Sequence, residues 1–212
     1  MNIMLLGAPG SGKGTQAEKL VNQLCFIQVS TGDLMRKEIV DNSKLGQECA
    51  TYMNAGKYVP DSIVNAIVEE FLKKTNDKLI FDGYPRTLDQ AKALDEMLIK
   101  LNKKINVVFY IDVNDDLLIK RISGRLVCPK CKASFNTIFR KPKVDNVCDF
   151  DNTTLVRRAD DEPEKVKVRL ETYSTQTLPL ISYYRDATKF VEIQADDLTA
   201  DQVFDTIKGE LK

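Results

Sequence analysis

"GAPGSGKGT", residues Gly7 to Thr15, lies between the apolar run "NIMLLG" (Asn2 to Gly7) and an amphipathic stretch from Lys13 to Leu24. Strand, glycine-rich loop and helix in that order form the setting in which such a loop binds phosphate. Gly7, Gly10, Gly12 and Gly14 let the backbone turn consecutive N–H groups inward onto phosphate oxygens. The helix beginning near Lys13 adds the positive end of its dipole, and Lys13 itself reaches the β- and γ-phosphates as a point charge. The pattern G-x-x-x-x-G-K is intact from Gly7 to Lys13, but Gly14 stands where a hydroxyl residue usually follows the lysine. The hydroxyl is displaced to Thr15, which weakens any direct role for it in holding Mg²⁺.

Outward from this loop, β-like apolar runs alternate with helical patterns. "KLIFDG" (Lys78 to Gly83), "NVVFYIDV" (Asn106 to Val113), "KFVEIQA" (Lys189 to Ala195) and the shorter "FIQVS" (Phe26 to Ser30) join the first run as buried parallel strands. Helical patterns cover Lys13 to Leu24, Asp61 to Leu72, Asp89 to Leu101, Asp115 to Ile122 and Thr199 to Leu211. Another spans Pro163 to Tyr184, with a break expected near Pro179. The alternation predicts an α/β fold: a five-stranded parallel sheet with helices on both faces. Two segments interrupt it. Residues 30–59 carry short helical patterns (Asp33 to Asp41, Leu45 to Asn54) and form an expected helical flap. Residues 123–158 carry cysteines and scattered β-branched residues, and predict a small β lid. The core is then 1–29, 60–122 and 159–212.

The net charge of the 212 residues is zero, so no global basic field holds nucleic acid or an anionic membrane. The apolar start ends at Gly7 with no basic residues before it, unlike a secretory leader, and no apolar run reaches 18 residues. A cytoplasmic protein is expected. Five cysteines, three of them clustered, do not read as a disulfide framework, and Cys25 and Cys49 are expected in the core. The chain contains no histidine. That excludes Ser-His-Asp and Cys-His nucleophiles, histidine general bases and histidine-ligated metals. The chemistry must run on Lys, Arg, carboxylates, hydroxyls, backbone amides or a metal.

Arg86 follows a strand at the carboxyl edge of the sheet, where ligands of open α/β sheets bind. With Arg36, Arg121, Arg125, Arg158 and Arg169 it makes a set of guanidiniums suited to bidentate phosphate contacts. "GAPGSGKGTQA", "STGDLMR" (Ser30 to Arg36), "GKYVPD", "IFDGYPRTLDQA" (Ile80 to Ala91), "RISGR" (Arg121 to Arg125) and "RRADDEPEKVKVRL" (Arg157 to Leu170) together resemble the long-lid bacterial adenylate kinases. The resemblance runs through essentially the whole chain in order.

That resemblance implies Mg²⁺-dependent transfer, ATP + AMP ⇌ 2 ADP, by a monomer with two moving flaps. It assigns Thr31, Arg36, Gly83, Arg86 and Gln90 to AMP, with Lys57, Tyr58 and Val59 lining the base. It assigns Gly10, Ser11, Gly12, Lys13, Gly14 and Thr15 to ATP. Lys13, Arg121, Arg125, Arg158 and Arg169 clamp the phosphates and the transferred group; Arg158 and Arg169 also face AMP, and Arg121 lies against adenine. Asp82 corresponds to the carboxylate that orients Mg²⁺ through water, with Asp33 as a second candidate. Two departures stand out. Tyr84 occupies the usual Phe of D-G-F-P-R, and the loop Gln194 to Asp197 has no motif specific enough to assign. A kinase for another nucleoside monophosphate and a zinc-ribbon module with a vestigial nucleotide site are the competing readings.

The absence of histidine suits this chemistry. A nucleoside monophosphate presents an already anionic oxygen, so no general base is required. What remains is in-line positioning and charge neutralisation, with flaps that exclude water as the competing acceptor.

Within the lid, Cys128 and Cys131 form a C-x-x-C turn, and Cys148 and Asp151 repeat the spacing. Asp149 is too close to Cys148 to complete the same turn. Three thiolates and one carboxylate make a closed tetrahedral set suited to structural Zn²⁺. A redox C-x-x-C needs a helix N-terminus to activate a thiol, and this stretch reads as hairpin. The resemblance agrees, since many long-lid members carry a C-x₂-C…C-x₂-D zinc knuckle. A small flap has little core of its own, and a metal is expected to hold its shape.

Overall fold

The computed structural model describes residues 1–54, 59–75, 78–157, 161 and 163–211. Among them the chain runs β1 (Asn2–Leu6), α1 (Lys13–Leu24), β2 (Ile27–Ser30), α2 (Thr31–Val40), α3 (Lys44–Asn54), α4 (Asp61–Lys73), β3 (Leu79–Asp82) and α5 (Leu88–Lys100). It continues with β4 (Val107–Asp112), α6 (Asp115–Ser123), β5 (Arg125–Val127), β6 (Ser134–Asn136), α7 (Pro163–Thr172), α8 (Pro179–Ala187), β7 (Lys189–Gln194) and α9 (Ala200–Glu210).

The predicted five-stranded sheet forms in the order β2-β3-β1-β4-β7, with every pairing parallel. β1 lies at the centre, and every one of its residues is buried. Period-2 alternation divides its side chains between two cores. Met4 and Leu6 pack on one face against Val68 of α4, Leu94 of α5 and Tyr184 of α8. Ile3 and Leu5 pack on the other against Leu20 of α1 and Ile207 of α9. A strand buried on both faces is apolar along its length, which is why "IMLL" reads as one continuous run; Asn2 at its start is buried with its side chain donating to the Lys104 carbonyl. Its carboxyl end therefore delivers the glycine loop to the sheet edge between β3 and β4.

The interruptions also take shape. α2 and α3 cover the amino end of α4 around Cys49, Ile63 and Ile67. β5 and β6 pair antiparallel, with Leu126↔Phe135 at the centre of a separate small core of Cys128, Ala133, Cys148 and Leu155. Cys49 is fully buried, but Cys25 is exposed. It ends α1 in the left-handed conformation at φ 56°, so its side chain faces outward rather than into the core. The break expected at Pro179 opens one turn earlier, as a π-helical turn over Tyr173–Thr177. Pro179 lacks an N–H and its ring displaces the carbonyl four residues back. The chain responds by bonding Leu178 N to Tyr173 O, at 2.9 Å, five residues back.

Candidate active site

Gly7, Gly10 and Gly12 take φ of +146°, +86° and +105°. A Cβ at Gly7 would lie 2.5 Å from the Ile111 carbonyl oxygen, and at Gly10 2.8 Å from Ile122, so neither tolerates a side chain. Gly14 differs from expectation: it lies inside α1 with helical backbone and takes no part in the turn. Lys13 Nζ donates to the carbonyls of Gly7 at 2.7 Å and Ala8 at 2.9 Å, which straps it along the loop.

Lys13 reports the electrostatics of the site. Burial pushes its pKa from 10.5 down to about 8; the Asp82 carboxylate opposes this, while the charges of Arg86, Arg169 and Arg125 add to it. The loop lysine therefore lies within the fields of three of the predicted arginines and the predicted carboxylate. Asp82 Oδ2 accepts from Gln28 Nε2 at 2.8 Å and stands 3.9 Å from the place a Cβ would take at Gly14. Asp33 lines the same cleft and pairs with Arg36 one helical turn on, both well exposed.

β3 hands the chain to Gly83 (φ +73°) and a cis Tyr84–Pro85 bond before Arg86. Arg86 Nε donates to the Gly83 carbonyl at 2.8 Å, and its backbone N–H donates to Gln90 Oε1 at 2.7 Å. Its carbonyl accepts from Thr177 Oγ1 at 2.9 Å, from the π-helical turn. Thr87 caps α5 by accepting from Gln90 N at 3.1 Å. Asp61, the first residue of α4, accepts from Thr87 Oγ1 at 2.9 Å and from Gln90 Nε2 at 2.6 Å. Tyr84, the departure from Phe, is 1% exposed, and its hydroxyl donates to Asn65 Oδ1 at 2.7 Å. Burial and the nearby Asp61 push this phenol well above its usual range, so it stays a neutral donor. Thr31 is buried at the start of α2, and with Val59 it lines the same cleft as Arg36, Arg86 and Gln90.

On the opposite side, Arg121 leaves the last turn of α6 and spans the loop. It donates to the Ser11 carbonyl at 3.4 Å and to the Ala195 carbonyl at 3.2 Å, with its guanidinium 5.7 Å from the Phe139 ring centroid. The Gln194 to Asp197 loop, silent in sequence, thus helps hold Arg121. Asp161, 4% exposed at its side chain, accepts from both Nε and Nη2 of Arg125 and from Arg169 Nη1 at 3.1 Å. Arg140 of the lid forks onto Glu18 of α1 at 2.9 and 3.0 Å. Loop, flap helix α2, α5 and lid together line a cleft of about 2270 Å³. Lys57, Tyr58 and Arg158 lie outside the described residues.

In the lid, the ligand atoms of Cys128, Cys131, Cys148 and Asp151 all fall within 4.8 Å of one another. Cys128 Sγ is 3.4 Å from both Asp151 oxygens, and Cys131 Sγ is 3.5 Å from Cys148 Sγ. The backbone N–H of Thr153 donates to Asp151 at 3.0 Å and holds its carboxyl well below the usual range, so it is a ready anionic ligand. Asp149 is exposed and accepts instead from Lys143 N at 2.8 Å.

Five residues escaped the sequence reading: Asp61, Asp161, Thr177, Glu18 and Arg140. Each acts through a partner that comes from another element. The one signal in sequence for Asp161 was a carboxylate embedded among the arginines of "RRADDEPEKVKVRL". Among the described residues no helix is long and apolar enough to cross a membrane.

Comparison with known proteins adds an independent line. The sequence model of the family described as "Adenylate kinase" matches residues 5–189. An adenylate kinase of Mycoplasma mycoides subsp. mycoides SC is 71% identical over 212 residues, covering 100% of both chains. One from Mesoplasma florum is 58% identical, and one from a Hydrogenobaculum species 44%, each again over 212 residues and 100% of both chains.

Proposed function

This chain belongs to the adenylate kinase family, and from that membership we propose how its own residues carry the reversible transfer ATP + AMP ⇌ 2 ADP. The observation that carries the reading is that Lys13, Asp82, Arg86, Arg125 and Arg169 line one cleft together with the glycine loop. Such a constellation neutralises phosphates held end to end.

On this reading Gly10 to Thr15 cradle the ATP phosphates through backbone N–H groups, and Lys13 bridges the outer two. Arg121 covers adenine beside Phe139. Arg125 and Arg169, with Arg158, close over the group in transit, where added arginines are worth about 10³ to 10⁵ in rate. AMP lies along Thr31, Arg36, Gly83, Arg86 and Gln90, with the 57–59 backbone against its base, and its phosphate oxygen attacks without a general base. Adenylate kinases take ATP with Mg²⁺. Asp82 fits that ion by chemistry, a carboxylate beside the loop offering hard oxygen to a hard cation, and Asp33 is the second oxygen donor in the cleft. Held there by Asp82 and Asp33, the ion would supply positive charge to the phosphates.

Residues 30–59 and 123–158 are the two moving parts, and the small core around Leu126 and Phe135 supports treating the lid as its own body. Three thiols and a carboxylate whose ligand atoms lie within 4.8 Å of one another favour structural Zn²⁺ as the lid's staple. On this reading the enzyme is a cytoplasmic monomer.

The test is a coupled assay across AMP, GMP, CMP and UMP with metal content measured on the same sample. AMP should dominate, and zinc should be present at one per chain. Arg86→Ala should lose monophosphate binding and turnover together; unaltered kinetics in that variant would remove Arg86 from the site.

A further inference from the structure

We propose that Asp61 sets the base specificity of the monophosphate site by locking the side-chain amide of Gln90 in one orientation. The inference rests on the reading of Gln90 as an AMP residue, and takes its side-chain amide to face the base. Gln90 is 5% exposed, and its amide has a protein partner at each end. Oε1 accepts from the backbone N–H of Arg86 at 2.7 Å, and Nε2 donates to Asp61 Oδ1 at 2.6 Å. A backbone N–H can only donate and a carboxylate can only accept. Turning the amide end for end would set donor against donor and acceptor against acceptor, so the partners dictate the orientation.

Asp61 is itself held. Its other oxygen accepts from Thr87 Oγ1 at 2.9 Å, and that oxygen in turn caps Gln90 N at 3.1 Å. After these bonds, Gln90 keeps one N–H and one lone pair on Oε1, in fixed places. Adenine presents an amino donor at position 6 and an acceptor at N1. A 6-oxopurine presents an oxygen acceptor at position 6 and an N1–H donor. One amide orientation matches one of these edges, and the reverse matches the other. Asp61 therefore acts as a positioning residue for base choice: it acts through Gln90 and removes the alternative amide. It also opens α4 directly after the helical flap, which places this lock at the flap's return to the core.

The experiment compares kcat/KM for AMP and IMP at saturating ATP, with KM for ATP as control, in the full enzyme. Asp61→Leu should lower the AMP:IMP ratio by about tenfold or more, the scale of one charge-assisted hydrogen bond, and leave KM for ATP unchanged. Asp61→Asn should keep the ratio within about threefold, because its amide oxygen still accepts from Gln90 while its N–H turns to Thr87 Oγ1. A role in stability alone would weaken both substrates equally and leave the ratio intact, which overturns the proposal. Gln90→Leu separates the two levels. If it leaves AMP turnover unchanged, the base-side reading of Gln90 fails; if it collapses the ratio and Asp61→Leu does not, the orientation lock fails. Should Asp61→Leu not fold, NMR of the unmodified protein decides. The Gln90 side-chain amide protons should exchange slowly and resonate apart, and a freely exchanging, averaged pair refutes the lock.

Discussion

Lys13→Met should change how stability depends on pH in a calculable way. In the folded chain the Lys13 pKa falls from 10.5 to about 8. At about 1.4 kcal/mol per tenfold, the protonated form carries about 3 kcal/mol of unfavourable free energy that the unfolded chain escapes. Lys13 keeps a partly open face to the cleft, and screening there reduces the figure to about 2 kcal/mol. Below pH 8 the lysine is protonated in both states and the whole penalty is present. Between pH 8 and 10.5 the folded chain releases its proton while the unfolded chain retains it, so stability rises; above 10.5 the penalty is gone. Methionine removes the charge at every pH. It also removes the bonds to Gly7 and Ala8, a loss that shifts both ends of the comparison alike. The expected result is thus a shrinking gap: relative to the parent, the variant loses about 2 kcal/mol of advantage between pH 7 and pH 10.5. Urea melts followed by circular dichroism at constant salt measure it. A gap constant to within about 0.5 kcal/mol refutes the argument, since it lies inside the error of extrapolation. In kinetics, kcat/KM for ATP should fall above about pH 8, because that ratio reports the free enzyme.

Other substitutions probe the pairs around this lysine. Asp161→Asn leaves Arg125 and Arg169 facing each other without their shared carboxylate, and should lower stability by about 2 kcal/mol, the usual loss for a broken buried pair reduced by the arginines' partial exposure. Excess ATP should restore most of that in calorimetry, phosphate replacing carboxylate; an equal deficit with and without ATP contradicts the role. Glu18→Gln breaks the fork to Arg140, whose half-exposed partners contribute only about 0.5 kcal/mol. KM for ATP should rise about twofold at low salt and converge with the parent at about 0.5 M salt, and a salt-independent KM counts against the clasp. Cys128→Ser, or chelation, should split off an early melting transition for the lid while turnover persists in the cold. Immediate loss of turnover without unfolding would make the metal catalytic rather than structural.

What could be read from sequence follows the range of the interactions. The glycine loop, the strands and the C-x-x-C turns are encoded by neighbours within a few residues, and all three appear where expected. Arg86, Arg125 and Arg169 were legible because each sits in a short sequence motif: just after β3, at the start of β5 and in the last turn of α7. Asp61, Asp161, Thr177 and Arg140 were not, because each acts through a partner brought by the fold: Thr177 reaches Arg86 across 91 positions and Arg140 reaches Glu18 across 122. The π-helical turn was equally hidden. Pro179 announces a break, but only packing decides whether the chain answers with a kink, a gap or a wider turn. Gly14 and Cys25 show the converse error, in which residue type was read as conformation before the backbone angle was known.

The same charges explain why the flaps and their clasps belong to the chemistry. Lys13 lies within the fields of three arginines, an arrangement that destabilises the chain and is only partly relieved by Asp82 and Asp161. Polyphosphate supplies the missing anions, so nucleotide binding and stability are linked, each ligand releasing repulsion held in the fold. Water screens that repulsion without being held in register, whereas a bound phosphate must be gripped by donors that are already in place. Asp161 keeps Arg125 and Arg169 in place, and the peptide of Arg86 is fixed at both ends by Gln90 and Thr177. The carboxylates thus hold the cations ready without neutralising them all. An acceptor oxygen that is already anionic needs no proton shuttle, so selectivity against water has to come from this standing field and from the surfaces that close over it.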